Sequence, residues 1–183
     1  MPSSALTALL ARAAQAKVLM ELTREENFLT HRARPQTGIW LKLGMCRDGR
    51  MTGCECEVVQ RGGAYAGYGI VTILYAGALL QGLYKLPAVK YDGYRVYTNL
   101  PPCGAMRGHG GVNTRHAFEV LLDRMARELG LDPFAVRRMN LLSAPMRTLN
   151  DLLINSYGLP ECLDRVERAS GWRDRISSIC CCR

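Results

Sequence analysis

The stretch of sequence that decides the fold is rich in glycine and leads straight into a helical pattern. It reads Pro101-Pro102-Cys103-Gly104-Ala105-Met106-Arg107-Gly108-His109-Gly110-Gly111. The apolar residues that follow recur three and four positions apart, which predicts one buried face of a helix. These residues are Phe118, Leu121, Leu122, Met125 and Leu129. We expect this helix to be capped near Asn113 or Thr114 and to end before Gly130.

The residues on either side of this loop leave two interpretations open. A strand-like segment, residues 89–99, precedes the loop. A strand, a glycine-rich loop and a helix N-terminus together form a cradle for an anion or a cofactor in many folds. However, the glycines match neither the dinucleotide-binding fingerprint nor the phosphate-binding loop of nucleotide triphosphatases. A strand-to-helix turn without a ligand therefore explains the same residues equally well.

Upstream of the loop, the pattern predicts a hairpin followed by a helix. Segments 39–45 and 51–59 are strand-like, and Asp48-Gly49 between them is typical of a tight turn. Acidic and apolar side chains alternate in the second strand, which predicts one solvent-exposed face and one buried face that carries Cys54, Cys56 and Val58. Residues 61–69 contain four glycines and predict a flexible loop, and residues 70–83 predict a buried apolar helix.

The remaining segments complete an α+β fold. We expect a helix over residues 3–15, a short strand-prone run over 18–22, and a helical turn starting at Thr23. Asp132-Pro133 supplies a cap and a first-turn proline for another helix. The predicted architecture is thus a mixed or antiparallel sheet with a hairpin, packed by helices.

Composition excludes several classes of protein. The chain has 183 residues, of which 48% are hydrophobic and 22% charged, so it can form a core and is not a disordered chain. No apolar run approaches the roughly 18 residues of a membrane span. The helical stripe near the start has no basic segment before it and no cleavage-type run after it, so we expect no secretory signal. Eight cysteines without the spacing of a disulfide framework indicate reduced thiols. Together with the lack of a signal pattern and of a membrane span, they predict a cytoplasmic protein without membrane partners. The spacing of iron–sulfur and zinc ligands is absent, which predicts no metal bound directly by this chain.

The net charge of +8 raises the possibility of a phosphate-bearing partner. Many of the basic residues nevertheless stand four positions from acidic ones, which is typical of a solvated helix face. Such pairs are Arg115/Glu119, Asp123/Arg127 and Arg124/Glu128. We therefore expect no nucleic-acid binding, and a non-catalytic basic binding module remains an alternative of another class.

The loop also resembles a known family. Gly104-Ala105-Met106-Arg107-Gly108-His109-Gly110 is similar to the Gly-Ala-Phe-Arg-Gly-Phe-Gly segment in the molybdenum-cofactor subunits of the xanthine oxidase family. Other similar blocks run from about residue 17 to about residue 172. They include Leu22-Thr23-Arg24-Glu25-Glu26, Gly62-Gly63-Ala64-Tyr65, Tyr84-Lys85-Leu86-Pro87, Thr98-Asn99 and Gly130-Leu131-Asp132-Pro133.

The resemblance implies a molybdenum–pterin dinucleotide cofactor, with Arg107, Gly108, His109 and Gly110 near the molybdenum ligands. It implies partner subunits that carry iron–sulfur clusters and FAD. The family's other cofactor loops and its catalytic glutamate segment have no match here. We therefore expect residues 1–175 to be an internal fragment of a molybdopterin-binding domain, inactive alone, and residues 176–183 to be a non-native or out-of-frame tail.

Two positions suggest which branch of the family this chain is similar to. His109 stands in place of a phenylalanine, and Tyr75 in place of an arginine of the purine hydroxylases. Both differences resemble the 4-hydroxybenzoyl-CoA reductase branch, which implies reductive dehydroxylation of an aromatic CoA thioester with reduced ferredoxin as electron donor. The alternative within the family is a hydroxylase of aldehydes or N-heterocycles, of the xanthine dehydrogenase or aldehyde oxidase type.

These two residues have both functional and structural interpretations. His109 could donate a proton or form a wall of the substrate pocket. Tyr75 could contact the substrate ring or be an ordinary core tyrosine.

Overall fold

A computed structural model describes the backbone of residues 2–175 and the side chains of residues 4–175. The predicted tail, residues 176–183, lies outside the described residues. Contacts divide the chain into two units, Met1–Arg32 and Ala33–Arg183.

The first unit contains two helices, α1 (Pro2–Ala14) and α2 (Arg24–Thr30). The Thr23 side chain accepts a hydrogen bond from the backbone of Glu26, whose carboxylate accepts one from Thr23 in return. This capping box fixes the start of α2 where the sequence predicts a helical turn. The expectation of a strand-prone run over residues 18–22 is wrong, because this segment is irregular and pairs with no described strand.

The second unit is built on a three-stranded mixed sheet. Strands β1 (Thr37–Met45) and β2 (Met51–Gly63) form the predicted antiparallel hairpin, and β3 (Val89–Tyr97) lies parallel to β2 on its other side. Gly49 adopts a positive φ of 94° in the hairpin turn. The predicted flexible loop over residues 61–69 is partly wrong, because Arg61 and Gly63 pair with the end of β3 and extend β2.

Within the described part of this unit, four longer helices and a small hairpin accompany the sheet. They are α3 (Gly69–Ala78), α4 (Gly111–Glu128), α5 (Pro133–Met139) and α6 (Leu159–Ser170), with strands β4 (Met146–Arg147) and β5 (Leu153–Ile154). A single 3₁₀ turn, Leu79–Gln81, follows α3. Helix α3 joins the parallel strands β2 and β3, as a parallel pair requires a crossover connection.

The core lies between one face of the sheet and the helices α3 and α4. It contains Cys54, Cys56 and Val58 from β2, as predicted, together with Phe118 and Leu122 of α4. Further buried members are Met51, Ile73, Leu80, Tyr84, Leu86, Ala126 and Val136. The expectation of a fully buried helix over residues 70–83 is wrong: the helix ends at Ala78, and Ile70 and Leu74 are exposed on its outer face.

The predicted capping of the helices is confirmed for α5 and corrected for α4. Asp132 caps α5 by accepting a hydrogen bond from Phe134 N at 3.1 Å, and Pro133 stands in its first turn. Helix α4 begins at Gly111 without a side-chain cap. Asn113 and Thr114 do not cap it because their side chains bond elsewhere, to Thr37 Oγ1 and to backbone carbonyl oxygens.

The charged face of α4 partly follows the predicted pairing. Arg124 and Glu128 form an ion pair at 2.9 Å, and Arg115 lies 3.9 Å from Glu119. Asp123 instead pairs with Arg137 of α5 at 2.7 Å. Among the described helices, none combines the length and the apolar character that crossing a membrane would require.

Candidate functional site

The glycine-rich loop is fastened to the end of β2 by its first half. Cys103 N donates to Gly62 O at 3.0 Å, and Ala64 N donates to Leu100 O at 3.0 Å. The Cys103 side chain is buried, and its Sγ accepts hydrogen bonds from Arg61 Nε at 3.3 Å and from Nη2 at 3.1 Å. These contacts make Cys103 an anchor of the loop, because its thiol is enclosed and already bonded.

The second half of the loop is a tight left-handed turn. Gly108 has a φ of 81° and His109 a φ of 51°. Glycine adopts this region freely, whereas a residue with a β-carbon, such as histidine, adopts it at a cost in free energy. The next residue, Gly110, lies so close to α3 that a β-carbon would overlap the carbonyl oxygen of Thr72. The turn is thereby pressed against α3.

This close approach brings the two predicted substrate-contacting residues together. The His109 imidazole stacks on the ring of Tyr75, with centroids 4.8 Å apart and an angle of 22° between the planes. Tyr68, immediately before α3, lies against the imidazole at 5.8 Å and 45°. Tyr75 and Tyr68 are 42% and 46% exposed, so Tyr75 is not a core residue. We call Tyr68, Tyr75 and His109 the aromatic cluster.

One nitrogen of the imidazole is buried without a partner. His109 Nδ1 makes no hydrogen bond within the described residues. A buried polar atom is normally bonded, so this nitrogen is a candidate for a hydrogen bond to a ligand or an ordered water beside the cluster. Sequence reasoning missed Tyr68, although its position seven residues before Tyr75 is the spacing of two helical turns.

Four guanidinium groups surround the loop. Arg107, predicted to bind the cofactor, is exposed on the turn. Arg34, Arg61 and Arg95 each donate to neutral acceptors of the loop or of the strand beside it. Within residues 2–175, none of the four forms an ion pair by the usual distance criterion. The loop therefore carries uncompensated positive charge, which favours an anionic ligand.

Arg95 carries part of this charge below the surface. Its Nη1 donates to Gln60 Oε1 at 3.0 Å, and its Nη2 donates to Cys103 O at 2.9 Å and to Gly62 O at 3.1 Å. Desolvation lowers the pKa of Arg95 from its ordinary value, but a guanidinium remains charged at neutral pH. Arg95 therefore contributes both hydrogen bonds and charge to the loop.

The described residues offer no cluster of metal-ligating side chains. No group of three or more His, Cys, Asp or Glu residues within the described chain is placed to hold a metal ion. Cys54 and Cys56 lie in the core, where desolvation raises the pKa of Cys54 to about 11 and that of Cys56 to about 12. The polar groups around the loop are thus suited to binding anions and aromatic rings.

Comparison with known proteins agrees with this chemistry. A family profile described as the molybdopterin cofactor-binding domain matches residues 1–141. The chain is 37% identical over 159 residues to the putative xanthine dehydrogenase molybdenum-binding subunit of Escherichia coli K12, covering 86% of this chain and 21% of that protein. It is 35% identical over 150 residues to the nicotinate dehydrogenase large molybdopterin subunit of Eubacterium barkeri, covering 81% of this chain and 35% of that protein.

Solved structures show the same fold. The quinoline 2-oxidoreductase of Pseudomonas putida 86 matches with a TM-score of 0.82 and 31% identity, covering 97% of this chain and 24% of that one. The aldehyde oxidoreductase of Desulfovibrio desulfuricans matches with a TM-score of 0.80 and 23% identity, covering 95% of this chain and 19% of that one.

The chain therefore spans between about a fifth and a third of the length of the curated relatives described above. The profile covers more than half of the chain, and it agrees with the relatives and with the fold. The chain belongs to the molybdopterin cofactor-binding domain family of the xanthine oxidase group of molybdenum-dependent oxidoreductases.

Proposed function

We propose that this chain is part of the molybdenum-cofactor subunit of a hydroxylase that oxidises an aromatic N-heterocycle or an aldehyde. One observation carries the proposal. Arg107 lies on the turn two residues before His109, and the ring of His109 stacks on Tyr75. A cationic group and a set of exposed aromatic rings thus lie on one short segment. Two similar proteins are named for N-heteroaromatic compounds, a nicotinate dehydrogenase and a quinoline oxidoreductase, and these names support this substrate class.

The residues of the loop fit an anionic cofactor. A molybdenum–pterin dinucleotide carries negatively charged oxygens, and the loop offers guanidinium groups without an ion pair within the described chain. When bound, this cofactor supplies the two-electron redox chemistry of the reaction. Arg107 would bind its anionic oxygens, and Gly108 and Gly110 allow the backbone of the turn to approach it closely.

The aromatic cluster would position a planar substrate. Tyr68 and Tyr75 expose about half of their surfaces, and exposed aromatic faces bind flat rings by offset stacking. The unpartnered Nδ1 of His109 would hold a hydrogen bond to a ring nitrogen or a carbonyl oxygen of that substrate. Arg107 and His109 would thus bind neighbouring ligands.

The rest of the enzyme would come from elsewhere. Residues 1–175 would contribute one part of the cofactor site, and further cofactor loops would come from other parts of the subunit. Iron–sulfur and flavin subunits would carry electrons away. On this proposal the chain alone is inactive and holds the cofactor weakly, so recovering one molybdenum per purified chain would contradict it.

A second candidate function is favoured by one specific observation. Reductive removal of the hydroxyl group of 4-hydroxybenzoyl-CoA consumes two electrons and two protons and releases water, and the electrons would come from reduced ferredoxin. An imidazole beside the substrate is suited to deliver a proton near neutral pH. The free Nδ1 of His109 supplies such a group, where the family's segment has a phenylalanine.

A substrate panel and one substitution separate the two candidates. The complete enzyme that contains this chain is assayed with N-heterocycles, aldehydes and 4-hydroxybenzoyl-CoA. For a hydroxylase we expect oxidation of one of the first two, and we expect His109→Phe to keep kcat within roughly tenfold because a planar ring is retained. For the dehydroxylase, His109→Phe should lower kcat by about 10²- to 10⁴-fold, which is the usual contribution of a general acid.

His116→Phe is the matched control for that substitution. His116 is an exposed histidine on α4, so its replacement should leave kcat unchanged in either case. Turnover of none of the three substrate classes by an enzyme with full molybdenum content would overturn both candidates.

A further inference from the structure

A short segment lies beside the glycine-rich loop and forms hydrogen bonds with several of its residues. We call this segment, residues 33–37, the strap. Its first residue, Ala33, accepts a hydrogen bond from Gly104 N at 3.1 Å, and its last residue, Thr37, accepts one from Asn113 Nδ2 at 2.8 Å. The strap therefore contacts the loop both at its start and where it has become α4.

Between these two points, the guanidinium group of Arg34 forms hydrogen bonds with the left-handed turn itself. Its Nη2 donates to Arg107 O at 2.8 Å and its Nη1 donates to His109 O at 3.1 Å. The two carbonyl groups flank Gly108, so one planar guanidinium spans the residue pair that has positive φ. A lysine ammonium keeps the charge but lacks the fixed fork that reaches two acceptors together.

These hydrogen bonds matter because the backbone conformation of the turn is unfavourable in free energy by itself. A residue with a β-carbon, such as histidine, costs free energy in the left-handed region relative to an extended or right-handed conformation, so contacts with its surroundings stabilise it there. Gly110 presses the turn against α3 from one side, and Arg34 fixes its carbonyls from the strap. The direction of the His109 side chain, and its stacking on Tyr75, follow from this backbone conformation.

We propose that Arg34 is a positioning residue that holds His109 in its left-handed conformation and thereby aligns the aromatic cluster. Its importance for catalysis depends on the proposed function, which puts this loop beside the cofactor. Arg34 itself does not touch the substrate and acts through His109. The structural part of the proposal is measurable on the 183-residue chain without cofactor or substrate.

Histidine resonances provide the readout. The chain has only three histidines, so the ring signals of His31, His109 and His116 can be assigned by NMR with the help of His109→Phe. In the starting chain the Tyr75 ring should shift the His109 ring protons upfield. In Arg34→Lys and Arg34→Ala we expect this upfield shift to be lost, while the signals of the exposed His116 stay in place.

Hydrogen exchange gives a second readout. Gly111 N donates to Gly108 O within the turn, at 3.1 Å. Loss of the guanidinium should raise the exchange rate of the Gly111 amide by roughly tenfold or more, because charged hydrogen bonds contribute at least that much locally. The Leu122 amide, in the buried stretch of α4, should change much less.

Arg127→Lys is the matched control, since Arg127 is an exposed arginine whose Nε donates to the carbonyl of Asp123 on its own helix. Three results would overturn the proposal. The His109 shift could persist in both Arg34 variants, it could be lost equally in Arg127→Lys, or both Arg34 variants could unfold globally, which would make Arg34 a residue of the fold as a whole. A failed substrate panel, by contrast, would reject the proposed function and leave the NMR result standing.

Discussion

Gly110 is the residue where the sequence, the turn and α3 constrain one another most tightly. Its φ of −90° is open to any residue, so its requirement for glycine is one of space and not of backbone freedom. The atom that a β-carbon would meet is a backbone oxygen, Thr72 O, which cannot rotate away. Any larger residue must therefore push the turn away from α3 and pull the His109 ring from Tyr75.

We expect Gly110→Ala to lower the free energy of unfolding by about 1–3 kcal/mol, the usual cost of overpacking a close contact. Chemical denaturation with urea measures this change. Gly158→Ala is the control, because Gly158 has an ordinary φ of −99° and a β-carbon there would meet nothing within 4 Å. Equal stability of the two variants would show that the turn can move away from α3 at little cost.

At the scale of elements, β2 shows what local patterns can predict. Alternation along the strand is a local property, and it correctly places Cys54 and Cys56 in the core. The hairpin and the Asp132 cap follow from equally local signals, and so do Phe118 and Leu122 on the buried face of α4. The prediction of Leu129 on that face is wrong, because Leu129 is the C-cap of α4 and is 39% exposed. The pairing of Arg61 and Gly63 with β3 could not be predicted in this way, because it depends on where α3 returns the chain.

The same limit applies to the candidate site. His109 and Tyr75 could be singled out from the family resemblance, but their stacking depends on the approach of the turn to α3 at Gly110. Arg34 carries no local signal, because its acceptors lie 73 and 75 residues further along the chain. Contacts that depend on the fold of distant segments are thus where sequence reasoning ends.

The buried face of β2 also gives a prediction about thiol chemistry. Desolvation raises the pKa of Cys54 from 9.0 to about 11, which lowers its thiolate fraction about a hundredfold at neutral pH. We expect iodoacetamide at pH 8 to modify the exposed Cys162 at least about a hundredfold faster than Cys54 or Cys56. Peptide mass spectrometry over a time course distinguishes the sites, and unfolding in urea should abolish the difference.

The same buried thiols should make the free energy of unfolding depend on pH in the alkaline range. A thiol whose pKa is higher in the folded chain stabilises it below pH 9, where unfolded thiols are still protonated, and this contribution is lost as the pH rises toward 11. Burial also raises the pKa of Tyr84 and of Tyr91, which act in the same direction. A urea midpoint that is unchanged between pH 8 and pH 10.5 would contradict these assignments.

At the scale of the whole molecule, the charge has a definite distribution. Some of the basic residues are neutralised in ion pairs on helix faces, whereas the four arginines in and around the loop form no ion pair within the described residues. The sheet shows a related division on the face opposite the core. One half carries Lys42, Glu55, Lys90 and Asp92 in ion pairs of 3.1–3.2 Å. Further along the same face Trp40, Tyr94 and Val96 are exposed, with the exposed Glu57 of β2 beside Trp40.

The exposed apolar side chains on this face, Trp40, Tyr94 and Val96, form what we call the apolar patch, and they lead to the last prediction. Trp40 is 60% exposed and Tyr94 54%, and they lie on the same face of the sheet with β2 between them. Large exposed apolar patches on a soluble chain promote association. We expect the 183-residue chain to self-associate in a concentration-dependent way and to bind a hydrophobic dye, as sedimentation and fluorescence would show. Trp40→Lys should weaken both effects, because it replaces a large exposed apolar ring of the patch with a charge. Leu19→Lys adds the same charge at an exposed leucine outside the sheet and should change neither, so an equal response of the two variants would attribute association to net charge and not to this face.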